Sequence, residues 1–343
     1  MLKKINLKEL TKDEIHAFMS SSGLSRFRAD QLIHWIYTKY VSDINEITEF
    51  SKGLRNSLRN RSYISGLKLE QHLKSTDGTQ KFLFSLEDGH TIETVLIPDD
   101  DRLTLCVSSQ VGCAFSCAFC QTGKSGLSRN LKAYEIVDQI LTVQKGIQPQ
   151  DTISNVVFMG MGEPLANVHE VIEALWRIVS FIGISKRRIT LSTVGIAPVI
   201  GLLASHAPEI NLAISLNATT DAIRQKIMPV NRRYPLKTVL DACRTFPLRP
   251  RRRITFEYIL IEGINDSADD ARRLVKLLKH FPCKINLIPL NPIAGSIMHP
   301  PSEIIIQRFQ NILVQKQMTA MVRKSKGQDI NASCGQLRGH PVS

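Results

Sequence analysis

From about residue 103 one pattern recurs six times: a short apolar run rich in β-formers, a loop, then a segment with helical periodicity. The runs read LTLCVSS, NVVFMG, RITLST, NLAISLN, ITFEYILI and KINLIPL, and intervening stretches such as NVHEVIEALWRIVSF space their apolar residues for a helix. A strand, a helix and a second strand of like direction form a right-handed crossover. Six units in succession therefore predict an α/β fold with a parallel sheet, either open or rolled into a partial barrel. In both forms the chemistry belongs at the C-terminal ends of the strands.

The flanks follow other rules. Residues 1–75 read as a helical unit: Thr11 and Glu14 have capping-box spacing, and RFRADQLIHWIYTKY places Phe27, Ile33, Ile36 and Tyr37 near one helical face, with SSGLS as the break before it. KFLFSLEDGHTIETVLIP switches to period two around Asp88-Gly89, a hairpin signal. Residues 76–315 are thus expected to hold the hairpin and the βα units. Beyond 315 the pattern stops, and VRKSKGQDINASCGQLRG, within 316–343, reads as a polar tail that returns to something.

With 343 residues, 43% of them hydrophobic, the chain can bury a sizeable core. No run approaches the roughly 18 apolar residues of a membrane span. The N-terminus lacks the apolar segment of a secretory signal, so no membrane and a cytoplasmic address are expected. Forty-four Lys and Arg against 31 Asp and Glu give a net charge of +13, as a protein working on a polyanion would need. The basic clusters are Lys186-Arg187-Arg188, Arg249 with Arg251, Arg252 and Arg253, and Arg323 with Lys324 and Lys326; each taken singly reads as a solvated face. Seven cysteines, an odd number, argue against a disulfide scaffold, and the three inside eight residues point to metal.

Those three, Cys113, Cys117 and Cys120 in GCAFSCAFCQTG, follow the first strand directly. A structural zinc site wants four ligands. Cys243 and Cys283 stand alone and read as core thiols. Three thiolates instead suit a [4Fe-4S] cubane with one iron left open to another ligand. In MGMGEPL the glycines, Gly162 among them, let a ligand approach the backbone, and Glu163 can accept from an ammonium group. Ser192, Ser215, Leu216, Asn217 and Asn291 stand at the ends of later strands, where polar turn residues are common in any case.

CxxxCxxC in this context resembles the radical S-adenosylmethionine (SAM) superfamily, and MGMGEPL resembles its GGEP motif. The resemblance implies two cofactors, one [4Fe-4S] cluster and SAM. Cys113, Cys117 and Cys120 would be the iron ligands, and Gly162, Glu163, Ser192, Ser215, Leu216, Asn217 and Asn291 the SAM contacts. The stretches RFRADQLIHWIY, IETVLIP, TLCVSSQVGC, SRNLKAYEIV, FMGMGEPLAN and KGQDINASCGQL, spread nearly end to end, are similar to the RlmN/Cfr group of RNA adenosine methyltransferases. That group implies a partial (β/α)6 barrel with a small helical N-terminal accessory domain and a C-terminal catalytic tail. Within it the chain is more similar to the RlmN branch, which methylates C2 of an adenosine in ribosomal RNA and transfer RNA, than to the Cfr branch, which methylates C8.

C2 of adenine is electron-poor and does not attack the methyl group of SAM, whereas a carbon radical adds to it. By the resemblance, Cys334 accepts a methyl group from one SAM, a step that thiolate nucleophilicity permits. The radical from a second SAM then activates that methyl, Cys106 forms a transient disulfide with Cys334 to free the product, and Glu93 is a proton acceptor. From the residues alone Cys106 is a core strand cysteine and Glu93 a solvated glutamate in a hairpin strand, and which of them takes the C2 proton stays open. A reductant such as flavodoxin or ferredoxin and a monomeric state are further expectations. The competing readings are a C8 methyltransferase, a radical SAM enzyme with another substrate, and an iron-sulfur or zinc RNA-binding protein without catalysis.

Overall fold

The computed structural model describes residues 4–293 and 295–339; the remaining residues of the expected domain spans lie outside it. The N-terminal unit packs the helices Lys12–Ser20, Arg26–Tyr37 and Lys52–Arg61, tied by a short parallel pairing of Ile5–Asn6 with Ser62–Tyr63. The Thr11 capping box forms: its hydroxyl accepts from the Glu14 N–H at 3.3 Å, and the Glu14 carboxylate accepts from the Thr11 N–H at 2.8 Å. In the second helix Ala29, Leu32, Ile33, Ile36 and Tyr37 are buried, but Phe27 is 65% exposed. Six residues of helix turn through about 600°, which leaves Phe27 about 120° away from Ile33.

The helical expectation through residue 75 fails at its end, because Lys68–Lys74 is a strand (β1). Nearly all of it is exposed, so it carries no apolar period; hydrogen bonding to Gln80–Ser85 (β2) is what makes it a strand. The expected hairpin joins β2 to Thr91–Asp99 (β3), and β3 pairs antiparallel with Arg102–Cys106 (β4). From β4 the sheet runs parallel through Asn155–Phe158 (β5), Ile189–Thr193 (β6), Asn211–Ser215 (β7), Ile254–Leu260 (β8), Cys283–Pro289 (β9) and Ala320–Val322 (β10). Spatial order follows chain order across all ten strands. The six expected parallel strands are present, and the pattern does not stop at 315: helix Glu303–Gln315 leads into β10, a seventh strand only three residues long.

The parallel strands alternate. Leu105, Val156, Leu191, Leu212, Ile214, Phe256, Ile285 and Leu287 are buried in the core. The intervening positions Thr104, Val157, Thr190, Ala213, Thr255 and Asn286, one from each of six strands, line a single cavity. Side chains of six neighbouring strands meet around one space only if the sheet curls, which makes the sheet a partial barrel with a polar inside.

The tail straps the gap between β10 and the antiparallel edge. Gly327 N–H donates to Asp77 at 2.8 Å, the Ser75 hydroxyl donates to Asp329 at 2.6 Å, and Lys81 Nζ donates to the Asn331 carbonyl at 3.2 Å. No helix among the described residues is long and apolar enough to cross a membrane.

Candidate active site

At the C-terminal ends of the strands Cys113, Cys117 and Cys120 line one cavity together with Gly162, Glu163, Ser192, Ser215, Asn217, Glu257 and Cys334. The cysteine loop is held from two sides. Ala118 N–H donates to the Ile227 carbonyl at 2.9 Å, and Gln121 N–H donates to the Gly335 carbonyl at 2.7 Å. Gly162 sits at φ +97°, and a Cβ there would lie 2.5 Å from the Gln110 Cβ, so the turn after β5 admits no side chain. Below the strand ends the buried Arg224 guanidinium donates to the carbonyls of Val194, Leu216 and Tyr234 and fixes the loops after β6 and β7. Burial pulls that guanidinium down to about 10.

Glu163 is built in rather than extended towards a ligand. Its carboxylate accepts from the N–H groups of Leu165 and Val194 and from the Thr193 hydroxyl, at 2.9, 2.8 and 2.6 Å, and burial pushes its pKa up to about 7 against those bonds. Sequence reasoning missed a second carboxylate, Glu257 on β8. One of its oxygens accepts from the Ser192 hydroxyl at 2.5 Å, and the other, Oε1, is buried with no hydrogen-bond partner. An orphaned buried acceptor costs free energy, and this one belongs to a residue of the cysteine cavity. The signal was present: a lone acidic residue inside the apolar run ITFEYILI.

Cys106 and Cys334 line a smaller adjoining cavity with Arg323 and Asn291, and Cys334 lines both spaces. All seven cysteines are free thiols. Burial, reinforced by the neighbouring Cys334, pushes Cys106 up to about 12, with Arg323 opposing. Arg323 is the main correction to the charge reading: it does not form a solvated face with Lys324 but sits beside Cys334, whose proximity raises its pKa. Asn291 donates to the Cys334 carbonyl at 3.0 Å and so holds the tail. Glu93 is buried rather than solvated; one oxygen pairs with Lys81 at 3.0 Å, and the other accepts from the N–H groups of Arg338 and Gly339 at 2.6 and 3.2 Å. Neither Glu93, Asn291 nor the core residue Leu216 lines the cysteine cavity. Cys243 and Cys283 are buried, as expected of core thiols.

The residues present fit a cluster and SAM. Among the described residues no three His, Cys, Asp or Glu side chains converge on one ion position, and a cubane needs no such convergence because each thiolate binds a different iron. Burial raises the pKa of all three thiols, Cys113 to about 12, so a bound cation is what would hold them as thiolates. The unpartnered Glu257 oxygen suits a hydroxyl- or ammonium-bearing ligand in the same space.

Residues 5–64 match the ribosomal RNA large subunit methyltransferase N-terminal domain, and residues 107–277 match the radical SAM superfamily. The "Dual-specificity RNA methyltransferase RlmN" of Pelobacter propionicus is 48% identical over 99% of this chain and 97% of its own length. That of Geobacter sulfurreducens is 49% identical over 98% and 92%. The chain belongs to the RlmN family. A crystal structure of a radical SAM methyltransferase from Sphaerobacter thermophilus superposes with a TM-score of 0.93 at 41% identity, covering 97% of this chain and 99% of that one. The RlmN-family chain is therefore a radical SAM RNA methyltransferase, and the curled sheet is the radical SAM fold.

Proposed function

We propose that the protein methylates C2 of an adenosine in large-subunit ribosomal RNA and in transfer RNA, through an S-methylated Cys334. The observation that carries this reading is that Cys334 lines both cavities, facing the three-cysteine loop on one side and Cys106 with Arg323 on the other. When bound, the cluster and SAM would supply the electron and the hydrogen-abstracting radical, with Cys113, Cys117 and Cys120 as the iron ligands. Cys334 takes the methyl group by displacement at SAM, its sulfur as nucleophile. Ser192, Ser215, Asn217 and Glu257 orient SAM, and the Glu163 and Arg224 frameworks keep their loops in place.

With the Cys334 methylene joined to C2, the sulfur of Cys106, buried on β4 in the cavity of Cys334, attacks the Cys334 sulfur; the S–S bond forms as the S–C bond breaks, and the departing carbon keeps the electron pair and takes up a proton to become the methyl group. Arg323 supports negative charge on either sulfur. The Glu93 carboxylate is engaged by Lys81 and the tail amides and anchors the strap. The dual specificity printed in the relatives' names supports the two RNA classes.

The experiment is mass spectrometry of digested ribosomal RNA after anaerobic incubation of the cluster-loaded protein with SAM. The natural sequence is compared with Cys334→Ala, against 2- and 8-methyladenosine standards. The expected result is 2-methyladenosine with the natural sequence and no methylation with the variant. 8-Methyladenosine overturns the regiochemistry, and methylation by the variant overturns the Cys334 route.

A further inference from the structure

The inside of the curl has a second mouth, at the N-terminal ends of the parallel strands. Three basic clusters far apart in sequence meet there. Arg187 before β6, Arg251, Arg252 and Arg253 before β8, and Lys284 on β9 line one cavity with Arg323, and no acidic side chain lines it. Glu209 lies at the rim and is already paired with Lys186 and Arg249. Arg252 is held by the Asn211 side chain and the Glu209 carbonyl, and Arg253 donates to Thr319 at 3.0 Å. Arg187, Arg251 and Lys284 have no carboxylate within salt-bridge distance among the described residues.

So many cations around one concavity without counter-charge repel each other, and the low-dielectric walls between them focus the field. A polyanion relieves that repulsion. The cavity borders the Cys106–Cys334 cavity, with Met159 and Arg323 lining both. The cysteine loop stands at the opposite end of the strands, and the tail straps the side through Asp77, Asp329 and Glu93.

We infer that RNA docks its sugar-phosphate backbone on this N-terminal mouth, and that the target adenine, out of its stack, reaches Cys334 along the inside of the barrel past Met159 and Arg323. SAM and RNA then approach from opposite ends of the same sheet. This rests on the reading that the chain modifies RNA. Unstacked loop adenines suit such a path, because a base must leave its stack to reach a buried site.

The test compares two variants of the cluster-loaded protein with equal loss of charge: Arg251→Glu with Arg253→Glu at the mouth, and Lys276→Glu with Lys279→Glu, exposed on the outer helix layer. The probe is a synthetic RNA stem-loop with one loop adenosine, titrated by fluorescence anisotropy over a range of salt concentrations. SAM cleavage without RNA reports that each variant is folded and loaded. The mouth variant is expected to bind at least about tenfold more weakly, with a salt slope shallower by roughly 0.7–0.9 for each lost phosphate contact. The outer variant is expected to bind within about threefold of the natural sequence. Natural-sequence binding by the mouth variant, or equal losses in both, overturns the inference. If the natural sequence itself neither binds nor methylates the RNA, it is the proposed function that falls.

Discussion

The two ends of the barrel are made from the same seven parallel strands and have opposite chemistry. The C-terminal end gathers three cysteines, two buried carboxylates and the serines of β6 and β7. The N-terminal end gathers arginines and a lysine with no acid. Four of the strands contribute to both, through inward positions two residues apart: Thr190 and Ser192 on β6, Ala213 and Ser215 on β7, Thr255 and Glu257 on β8, Asn286 and Ile288 on β9. A period of two thus grades one inner surface from cationic to nucleophilic along its axis. Arg323 and Cys334, both on the closing segment, stand where the grades meet.

The comparison breaks most visibly at the cluster loop. Cys117→Ser should abolish SAM cleavage, read as 5'-deoxyadenosine by chromatography, and lower bound iron, while the RNA stem-loop still binds within about twofold. Loss of RNA binding in that variant would mean that the ends are not separable. Arg323→Gln probes the boundary: turnover should fall by about 10–100-fold, in the range of losing one hydrogen bond to a charged group. If the change falls on kcat, Arg323 serves the cysteines; if it falls on KM for RNA, it belongs to the mouth. Arg323→Lys should restore part of the rate.

A smaller effect is the pH dependence seated at Glu163. Burial holds its carboxyl near 7, above its ordinary 4.5, so the folded chain keeps a proton there that the unfolded chain has released. The stability linked to that proton is complete below about 4.5, declines as pH rises and is gone above about 7. The Tm of the natural sequence should therefore fall by a few degrees relative to Glu163→Gln between pH 5 and 8; a constant difference would refute the assignment. Smallest of all, Thr11→Ala removes the cap of the first N-terminal helix, costs about 1 kcal/mol by thermal denaturation, and should leave SAM cleavage unchanged.

Local patterns foretold much of this. The six parallel strands, the Asp88-Gly89 hairpin, the Thr11 cap and the CxxxCxxC loop are each written in contiguous residues, because periodicity, turn chemistry and ligand spacing are short-range properties. Phe27 was misplaced, since an apolar residue early in a helix can fall off the packed face. Lys68–Lys74 and Ala320–Val322 escaped because edge strands owe their form to partners rather than to their own pattern.

By itself the sequence determined the fold class, the close spacing of the three cysteines and the basic balance of the chain, since composition and local spacing carry all three. The tertiary structure alone decided which way Arg323 faces, that Glu93 ties down the tail, that Glu257 stands with an open oxygen in the cysteine cavity, and that basic clusters as distant as Arg187 and Arg323 share one mouth. Those are contacts between residues many positions apart, fixed by the curl of the sheet and the path of the closing tail, and no local pattern encodes them.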